Sequence, residues 1–343
     1  MHRAAGWQPT ASFGALEAAA RLRATIRDRM AAEDILEVAT PVLSGAAVSD
    51  TALASFEVQQ GPGGRAAWLQ TSPEFPMKRL LAAHGRDIYQ FAPVFRGDEL
   101  GRHHNPEFTL LEWYRVGFDH HDLMRDMAAL LELVWQRFDR QWLGVDTVSY
   151  QDAVTSLCGD APDALSVADI VAVFHRHDRH CPPFTEHERD AALDLLVDTF
   201  VLPGFATDRF TFLTEYPASQ AALARLGISA KGLPCAERFE LYYGAIELAN
   251  GFHELTDAVE QRRRFEADQA RREETGMPVN PLDERFLAAL DAGLPDCAGV
   301  ALGIERLLMA LLGTETLAEV VSFADECAPP VDAALADGQL TQA

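Results

Sequence analysis

One stretch of the sequence places charged and aromatic residues between two apolar, strand-like runs: FRGDELGRHHNPEFTLLEWYR, residues 95–115. Arg96 follows the first run, so its guanidinium is expected at a sheet edge, where it could clamp a phosphate. Phe108 opens the return strand and could stack on a flat ring. Glu112 and Tyr114 are two residues apart and therefore point to the same face of that strand. A surface loop with incidental charges is the alternative interpretation.

Three further stretches contain residue types suited to nucleotide and cation binding. In ELANGFHELTD, Glu247 and Glu254 flank an Asn-Gly pair that predicts a turn. Two carboxylates near a phosphate-binding arginine could hold Mg²⁺ jointly with a nucleotide, although a solvated hairpin is the alternative. In GVALGIER, glycines would let the backbone approach a ligand, and Arg306 opens a helix. In TSPEF, Glu74 could bind a cation.

The elements that must position these residues are predicted as strands in hairpin-like order with helices between them. Apolar residues at spacings of three and four predict a first helix over 13–34, with Ser12 as its N-cap. Residues 146–230 are predicted to form short helices and loops, as an accessory helical insertion. Because strands and helices do not alternate, we expect an α+β fold with an antiparallel sheet. Other helices are predicted over 76–84, with Gly85 after its end, and over 122–142 and 257–275. Strands are predicted over 54–58, 66–69, 88–96, 108–116, 212–214 and 238–248.

The bulk composition excludes some classes of function. The chain has 343 residues, of which 48% are hydrophobic, enough to bury a large core. Its formal charge of −23 disfavours broad binding to nucleic acid, because such a surface repels phosphates. The five cysteines are scattered without a CxxC pair, which indicates a reducing compartment. The N-terminus has no apolar signal region and no apolar run approaches membrane length, so we expect a cytoplasmic protein without a membrane anchor.

Taken in order, these motifs resemble those of the class II aminoacyl-tRNA synthetases. The first helix with Pro41 is similar to motif 1, FRGDELGRHHNPEFTLLEWYR to motif 2, and GVALGIERLLM to motif 3. NPEFT, NGFHELTDAVEQ and TSPEF are specifically similar to lysyl-tRNA synthetase. The resemblance implies one catalytic domain over 1–325 in which helices flank an antiparallel sheet, with 146–230 as an insertion and a frayed tail at 326–343.

The resemblance also implies an ATP site and an amino-acid site. Arg96 and Arg306 would be the catalytic residues, and Phe108 would form an adenine sandwich with Arg306. Mg²⁺ would be held by Glu247 and Glu254. The ATP-binding residues would be Arg96, Gly97, Asp98, Glu99, Asn105, Phe108, Glu247, Leu248, Gly303 and Arg306. The residues that bind the amino acid would be Ser72, Pro73, Glu74, Glu112, Tyr114, Asn250 and Glu254.

Two positions depart from the family pattern. Gly97 and Asp98 stand where Asn-Glu is common, so an ATP contact would shift to Asp98 or Glu99. Glu305 stands where an Asp usually precedes the motif 3 arginine. Because the charge types persist, the implied chemistry remains attack of a carboxylate on the α-phosphate of ATP, giving an aminoacyl-adenylate.

The residues before the first helix bear on the substrate. Only about a dozen precede it, too few for the OB-fold barrel with which lysyl-tRNA synthetases grip the anticodon. Such a core without an anticodon domain resembles the elongation factor P lysyltransferases. That family activates lysine, preferably (R)-β-lysine, and transfers it to the ε-amine of one lysine on elongation factor P. The resemblance implies ATP and Mg²⁺, a homodimer formed through motif 1, and no tRNA substrate.

The sequence leaves two alternative functions to be considered, and one run of residues that could bind a metal. A truncated lysyl-tRNA synthetase would charge tRNA or a small acceptor. A catalytically inactive regulatory module would sense ATP or lysine, but such proteins usually lose an arginine of motif 2 or motif 3, and both are present here. The run HRHDRHC, residues 175–181, could suggest a metal site, but a polar surface turn is the favoured interpretation.

Overall fold

The computed structural model of the chain describes residues 7–51, 53–61, 63–97 and 100–324. Asp98, Glu99 and the predicted tail over 326–343 therefore lie outside the described residues. The helices are α1 (Phe13–Ala32), α2 (Glu74–His84), α3 (His120–Arg137), α4 (Tyr150–Cys158), α5 (Val167–Arg176), α6 (Arg189–Phe200), α7 (Ala258–Glu274), α8 (Glu284–Gly293) and α9 (Ile304–Leu312). The strands are β1 (Leu36–Glu37), β2 (Leu43–Ser44), β3 (Glu57–Gln59), β4 (Ala66–Leu69), β5 (Ile88–Phe95), β6 (Glu107–Val116), β7 (Val145–Ser149), β8 (Phe210–Tyr216), β9 (Leu226–Ile228), β10 (Pro234–Tyr243), β11 (Ile246–His253) and β12 (Cys297–Gly303).

The centre of the described part of the chain is a nine-stranded sheet. Its order is β1-β5-β6-β12-β11-β10-β8-β7, and β9 pairs with the start of β10. The central neighbours are antiparallel, which confirms the predicted α+β arrangement for the middle of the sheet. The two edge pairs, β1 with β5 and β7 with β8, are instead parallel. Each of these pairs is joined by a long crossover, which a parallel pair requires and a hairpin does not.

The two faces of this sheet have different roles. On one face, α1, α3 and α9 cover an apolar core that includes Leu111 and Trp113 of β6. Glu112 and Tyr114 alternate with these residues and therefore point to the opposite face, where they line a cavity. The prediction that Glu112 and Tyr114 share a face is confirmed.

The helical insertion is shorter than predicted. Helices α4, α5 and α6 occupy 150–200 and have their own apolar core, which contains Val154, Phe174 and Leu196. The boundaries 146–230 were wrong because three strands within them, β7, β8 and β9, belong to the main sheet. Strand β8 contains the strand predicted at 212–214 and is longer than predicted; it is buried along nearly its whole length.

The Asn-Gly pair does not form the predicted turn. Asn250 and Gly251 lie inside β11, and the hairpin between β10 and β11 turns at Gly244, where φ is 57°. A side chain at Gly251 would collide with the ring of Phe239 on the neighbouring strand. The glycine is therefore used to admit an aromatic ring across the sheet, a role that does not depend on turn geometry.

Most of the other predicted elements are confirmed within a few residues. Ser12 caps α1 by accepting a hydrogen bond from the N–H of Ala15 (3.1 Å), and β3 pairs with β4 across the GPGG segment. Helix α3 ends at Arg137, earlier than predicted, and α8 was not predicted. Among the described residues, no helix combines the length and apolar character needed to cross a bilayer.

Candidate active site

A cavity of about 1160 Å³ opens on the face of the sheet opposite α1, α3 and α9. It is lined by every described residue predicted for the ATP and amino-acid sites except Pro73 and Gly97. Pro73 is buried at the start of α2, and Gly97 donates its N–H to the carbonyl of Ala54 (2.8 Å). The lining residues that were predicted are Ser72, Glu74, Arg96, Asn105, Phe108, Glu112, Tyr114, Glu247, Leu248, Asn250, Glu254, Gly303 and Arg306.

At one end of the cavity, a buried carboxylate is held by two hydroxyl groups. The Oγ of Ser72 donates to Glu112 Oε1 (2.6 Å), and the Tyr114 hydroxyl donates to Glu112 Oε2 (3.2 Å). Ser72 Oγ also accepts a hydrogen bond from the N–H of Glu74 (3.0 Å), which ties the start of α2 to β6. The Glu112 side chain is only 1% exposed, so its orientation is fixed by the pocket walls.

Two more carboxylates at this end share a buried lysine that the sequence did not single out. The Nζ of Lys78 lies 2.5 Å from Glu74 Oε1 and 2.5 Å from Glu254 Oε2. Gly299, on β12, leaves room for Glu254, because a side chain there would approach within 2.5 Å of Glu254 Oε1. Lys78 follows Glu74 by one helical turn of α2, and that spacing is the signal that could have identified it.

The electrostatics of this end favour a bound cation. Burial and the nearby Glu74 raise the pKa of Glu112 to about 8. Burial also raises the pKa of Glu254 to about 8, although Lys78 opposes the shift. In the empty pocket, the nearby positive charge is therefore too small to offset the effect of burial on these two acids. An ammonium group would supply that charge and take up the hydrogen-bonding capacity of the carboxylates.

The other end of the cavity contains the two predicted arginines. The guanidinium of Arg96 lies 5.0 Å from the centre of the Phe108 ring, and its Nε donates to the carbonyl of Thr71 (3.4 Å). Arg306, in the first turn of α9, donates to the carbonyls of His103 (3.2 Å) and Glu247 (2.8 Å). These carbonyl acceptors orient both guanidinium groups, and Nη1 of Arg306 also lies 3.8 Å from Glu247 Oε2. Because Thr71 precedes Ser72 in the chain, the arginine end and the acidic end are directly linked.

Smaller contacts shape the arginine end. Asn105 is buried, and its amide donates to the carbonyl of Glu107 (2.6 Å), which closes the loop before β6. Glu305, which stands where the family usually has Asp, accepts a hydrogen bond from the N–H of Thr109 (2.9 Å) and so ties α9 to β6. The side chain of Leu248 belongs to the apolar core, so its contribution to a nucleotide site would come from the main chain.

A β-bulge brings Glu247 to the cavity. Along β10 and β11, Leu241 pairs with Ala249 and the next residue, Tyr242, pairs with Glu247, so one extra residue is accommodated in β11. Without this bulge, Glu247 and Glu254, seven residues apart, would be expected on opposite faces. The Glu247 side chain is 43% exposed to the cavity.

Arg238 and Glu240 are among the charged residues of the cavity that the sequence did not single out. Both lie on β10, two residues apart, which puts them on one face of the strand. Arg238 forms an ion pair with Glu240 and donates from Nε to Asn250 Oδ1 (3.2 Å). Partial burial and the carboxylate of Glu240 raise the pKa of Glu247, so these two acids are close enough to repel each other.

The histidine-rich run does not form a metal site in the part of the chain that the structure describes. The one His, Cys, Asp and Glu cluster found there is His120, Glu237 and His253, whose ligand atoms lie within 4.8 Å of one another. It lies outside the cavity. Both ring nitrogens of His253 already contact carboxylates, those of Glu237 (2.5 Å) and Asp296 (2.9 Å), whereas the buried Nδ1 of His120 has no hydrogen-bond partner.

A cavity with paired arginines at one end and buried acids at the other, on an antiparallel sheet flanked by helices, is the arrangement that the motif resemblance implied. Residues 8–326 match the family model of tRNA synthetases class II (D, K and N). The chain therefore belongs to the class II tRNA synthetase family, and the expected fold class is confirmed.

Within that family the chain is similar to a protein that modifies elongation factor P. It is 46% identical over 327 residues to the elongation factor P (R)-β-lysine ligase of Proteus mirabilis (strain HI4320). The alignment covers 94% of this chain and 98% of that protein. This identity places the chain in the family of that ligase, as the resemblance to the elongation factor P lysyltransferases implied.

Proposed function

We propose that this chain is an ATP-dependent ligase that activates (R)-β-lysine or lysine as an aminoacyl-adenylate and transfers it to elongation factor P. The acceptor would be the ε-amine of one lysine, and the products would be AMP, pyrophosphate and a new amide bond. The observation that carries this proposal is the cavity itself, in which the buried carboxyl groups of Glu112 and Glu254 and the partly buried one of Glu74 adjoin two arginines. The likeness to the Proteus mirabilis ligase over nearly all of both chains supports the acceptor.

In the first step the amino acid and ATP would bind at opposite ends of the cavity. The substrate ammonium groups would contact Glu74, Glu112 and Glu254, and the Tyr114 hydroxyl would help to place Glu112. Arg96 lies between this pocket and Phe108, so it would contact both the substrate carboxylate and the α-phosphate. The carboxylate oxygen attacks the α-phosphorus in line, a P–O bond forms, and pyrophosphate leaves.

Catalysis of this step would come from positioning and charge. Arg96 and Arg306 are held by main-chain carbonyls before ATP arrives, so little reorganisation is needed when negative charge develops on the phosphates. No side chain of the protein needs to form a covalent bond with the substrate. Holding the two reactants together in one cavity would supply much of the remaining rate enhancement.

In the second step the acceptor amine attacks the carbonyl carbon of the adenylate. A C–N bond forms, the C–O bond to AMP breaks, and the amine loses a proton to solvent or to a carboxylate of the cavity. The formal charge of the chain, −23, supports a protein acceptor over tRNA. An acidic protein surface offers few basic side chains to take the place of the counter-ions around the phosphates of a nucleic acid.

The residues present fit a Mg²⁺ ion at the nucleotide end, and we propose Glu247 and Glu240 as its carboxylate ligands. The Glu240 carboxylate raises the pKa of Glu247, so a divalent cation beside these two acids would relieve their repulsion. The predicted partner Glu254 lies at the amino-acid end of the cavity, beside Lys78, whereas Glu240 neighbours Glu247 and would share its carboxylate between the metal and Arg238. When bound, Mg²⁺ would neutralise charge on the phosphates of ATP.

We further propose a homodimer in the cytoplasm. Phe13, Leu36 and Leu43, in the motif 1 region, are large apolar side chains exposed on the single chain, as expected for a surface that a second copy covers. The four cysteines of the described residues are free thiols, which supports a reducing compartment. Light scattering of the purified protein would show twice the chain mass of 37.7 kDa if the dimer forms.

An acceptor competition tests the proposal. The protein would be incubated with ATP, Mg²⁺ and labelled lysine or (R)-β-lysine, together with elongation factor P and bulk tRNA. Label on elongation factor P, with a mass increase of one lysyl group, supports the proposal and ranks the two amino acids. The control is an elongation factor P whose acceptor lysine is replaced by arginine. Label on tRNA alone would instead support a truncated synthetase, and absence of adenylate would support the regulatory module.

A further inference from the structure

We propose that Lys78 is a positioning residue that holds the carboxyl groups of Glu74 and Glu254 toward the substrate, so that the pocket is matched to an amino acid with two ammonium groups. This inference rests on the proposed function and extends it to a residue outside the substrate contacts. Lys78 acts through the two acids, because it does not itself line the cavity whereas both of them do.

The geometry of Lys78 is that of a fixed internal counter-ion. Its side chain is 1% exposed, and its Nζ lies 2.5 Å from a carboxylate oxygen of Glu74 and 2.5 Å from one of Glu254. The two acids belong to different parts of the fold, since Glu74 begins α2 and Glu254 follows β11. One ammonium group therefore holds both carboxylates at the floor of the pocket.

The buried surroundings of Lys78 favour its charged form paired with the two carboxyl groups. The apolar neighbours on α2, Met77 and Leu81, are fully buried, and the ring of Phe286 on α8 lies 5.8 Å from Nζ. A buried ammonium without a carboxylate partner would be costly, and the two acids raise the pKa of Lys78 despite its burial. Lys78 is thus a permanent charge at neutral pH.

The charged and titratable groups around Lys78 come from four elements. Glu74 lies on its own helix, Glu112 and Tyr114 on β6, and Cys297 on β12, in addition to Glu254. Lys78 lowers the pKa of Glu112 and of Glu254, but burial and the neighbouring acids dominate and raise both to about 8. Removing Lys78 would therefore move the protonation of these acids further upward.

The balance of charges in the pocket then identifies the substrate class. Three carboxyl groups, those of Glu74, Glu112 and Glu254, face one lysine, so the pocket carries two uncompensated negative charges once all three have lost their protons. A diamino acid such as lysine or β-lysine brings two ammonium groups and cancels both. An amino acid with a neutral side chain would leave one buried carboxylate unpaired, which is strongly unfavourable.

The test is the pH dependence of amino-acid use by Lys78→Met, a substitution close in shape that removes the charge. An opposite charge nearby lowers the pKa of an acid by about 1–3 units. The pH at which KM for lysine reaches its plateau, measured by pyrophosphate exchange from pH 6 to 9, should therefore shift up by about one unit or more. At pH 7, KM for lysine should rise by at least about tenfold, KM for ATP should stay within twofold of wild type, and KM for lysine should recover at pH 9.

Control variants separate this role from simple support of the fold. Lys78→Arg keeps the charge and should keep the wild-type pH plateau. A lysine KM raised equally at all pH values in Lys78→Met, or unchanged at pH 7, would overturn the inference. If Lys78→Met does not fold, calorimetry of lysine binding to the wild-type protein in two buffers of different ionisation enthalpy decides the question. Binding at pH 7 should release one or more protons, and no release would refute the charge balance.

The outcomes also separate this inference from the proposed function. If the wild-type protein shows no lysine-dependent pyrophosphate exchange, the proposed function itself is wrong. If wild-type exchange is normal and Lys78→Met behaves as wild type at every pH, only the role of Lys78 is refuted.

Discussion

Replacing Glu112 by glutamine should weaken binding of the amino acid and leave binding of ATP unchanged. The side chain is buried and accepts hydrogen bonds from Ser72 (2.6 Å) and Tyr114 (3.2 Å), so glutamine fits the same space. What the substitution removes is the negative charge that faces the substrate ammonium. A hydrogen bond to a charged group contributes about 1.5–3 kcal/mol. Since about 1.4 kcal/mol changes an affinity tenfold, KM for lysine should rise roughly 10- to 150-fold.

The same substitution should also flatten the pH dependence of lysine use. Because the pKa of Glu112 is raised to about 8 in the empty pocket, the carboxyl must lose a proton when an ammonium group binds near pH 7. The affinity of the wild-type protein for lysine should therefore rise as the pH increases from 6 to 8. In Glu112→Gln, the slope of log KM against pH should be shallower by up to one, which corresponds to one proton fewer released when lysine binds.

The assay for both effects is lysine-dependent exchange of pyrophosphate into ATP, with each substrate varied in turn. Glu107→Gln is the matched control, since Glu107 lies on the same strand but is exposed and outside the cavity. Equal losses in the use of lysine and of ATP by Glu112→Gln would remove Glu112 from the amino-acid pocket. A wild-type KM for lysine would refute the charge argument altogether.

Three further substitutions test the rest of the cavity. Arg306→Ala should lower the rate of pyrophosphate exchange by about 10²–10³-fold, because a preorganised donor to the phosphates is lost. The temperature of thermal unfolding should stay close to that of the wild type. Exchange at the wild-type rate would refute the motif 3 assignment. Glu240→Gln should raise the Mg²⁺ concentration needed for half-maximal exchange by several-fold, whereas an unchanged Mg²⁺ requirement would remove Glu240 as a ligand. Gly299→Ala should cost about 1–3 kcal/mol of stability by overpacking, since the new methyl group would press on the Tyr114 ring and Glu254. In that variant KM for lysine should rise more than KM for ATP, and equal changes would argue for general destabilisation.

Sequence patterns were sufficient where short-range physics decides the structure. The strand period of two residues placed Glu112 and Tyr114 on one face, and the structure confirms it. The loop after an apolar strand placed Arg96 at the edge of the sheet, beside Phe108. Helix limits were predicted from Ser12 as a cap and Gly85 as a left-handed stop, both of which the structure shows. In each case the determining interaction lies within a few residues along the chain.

Tertiary structure decided the features that depend on neighbours distant in the sequence. The Asn-Gly pair at 250–251 predicts a turn locally, but the ring of Phe239 on the adjacent strand requires a glycine inside β11. The bulge in β11 that admits Glu247 to the cavity is visible only in the pairing with β10. The parallel edge strands follow from the crossovers between distant segments of the chain.

The amino-acid pocket shows the same division most clearly. The sequence alone identified Glu74, Glu112 and Glu254 as acids suited to a cation, because their residue type and motifs are local properties. The spacing of Glu74 and Lys78 is local as well, but the contact of Lys78 with Glu254 forms only when the fold brings α2 to the end of β11. Burial there removes the solvent that would otherwise screen these charges, so the folded chain, and not the motif, determines their protonation.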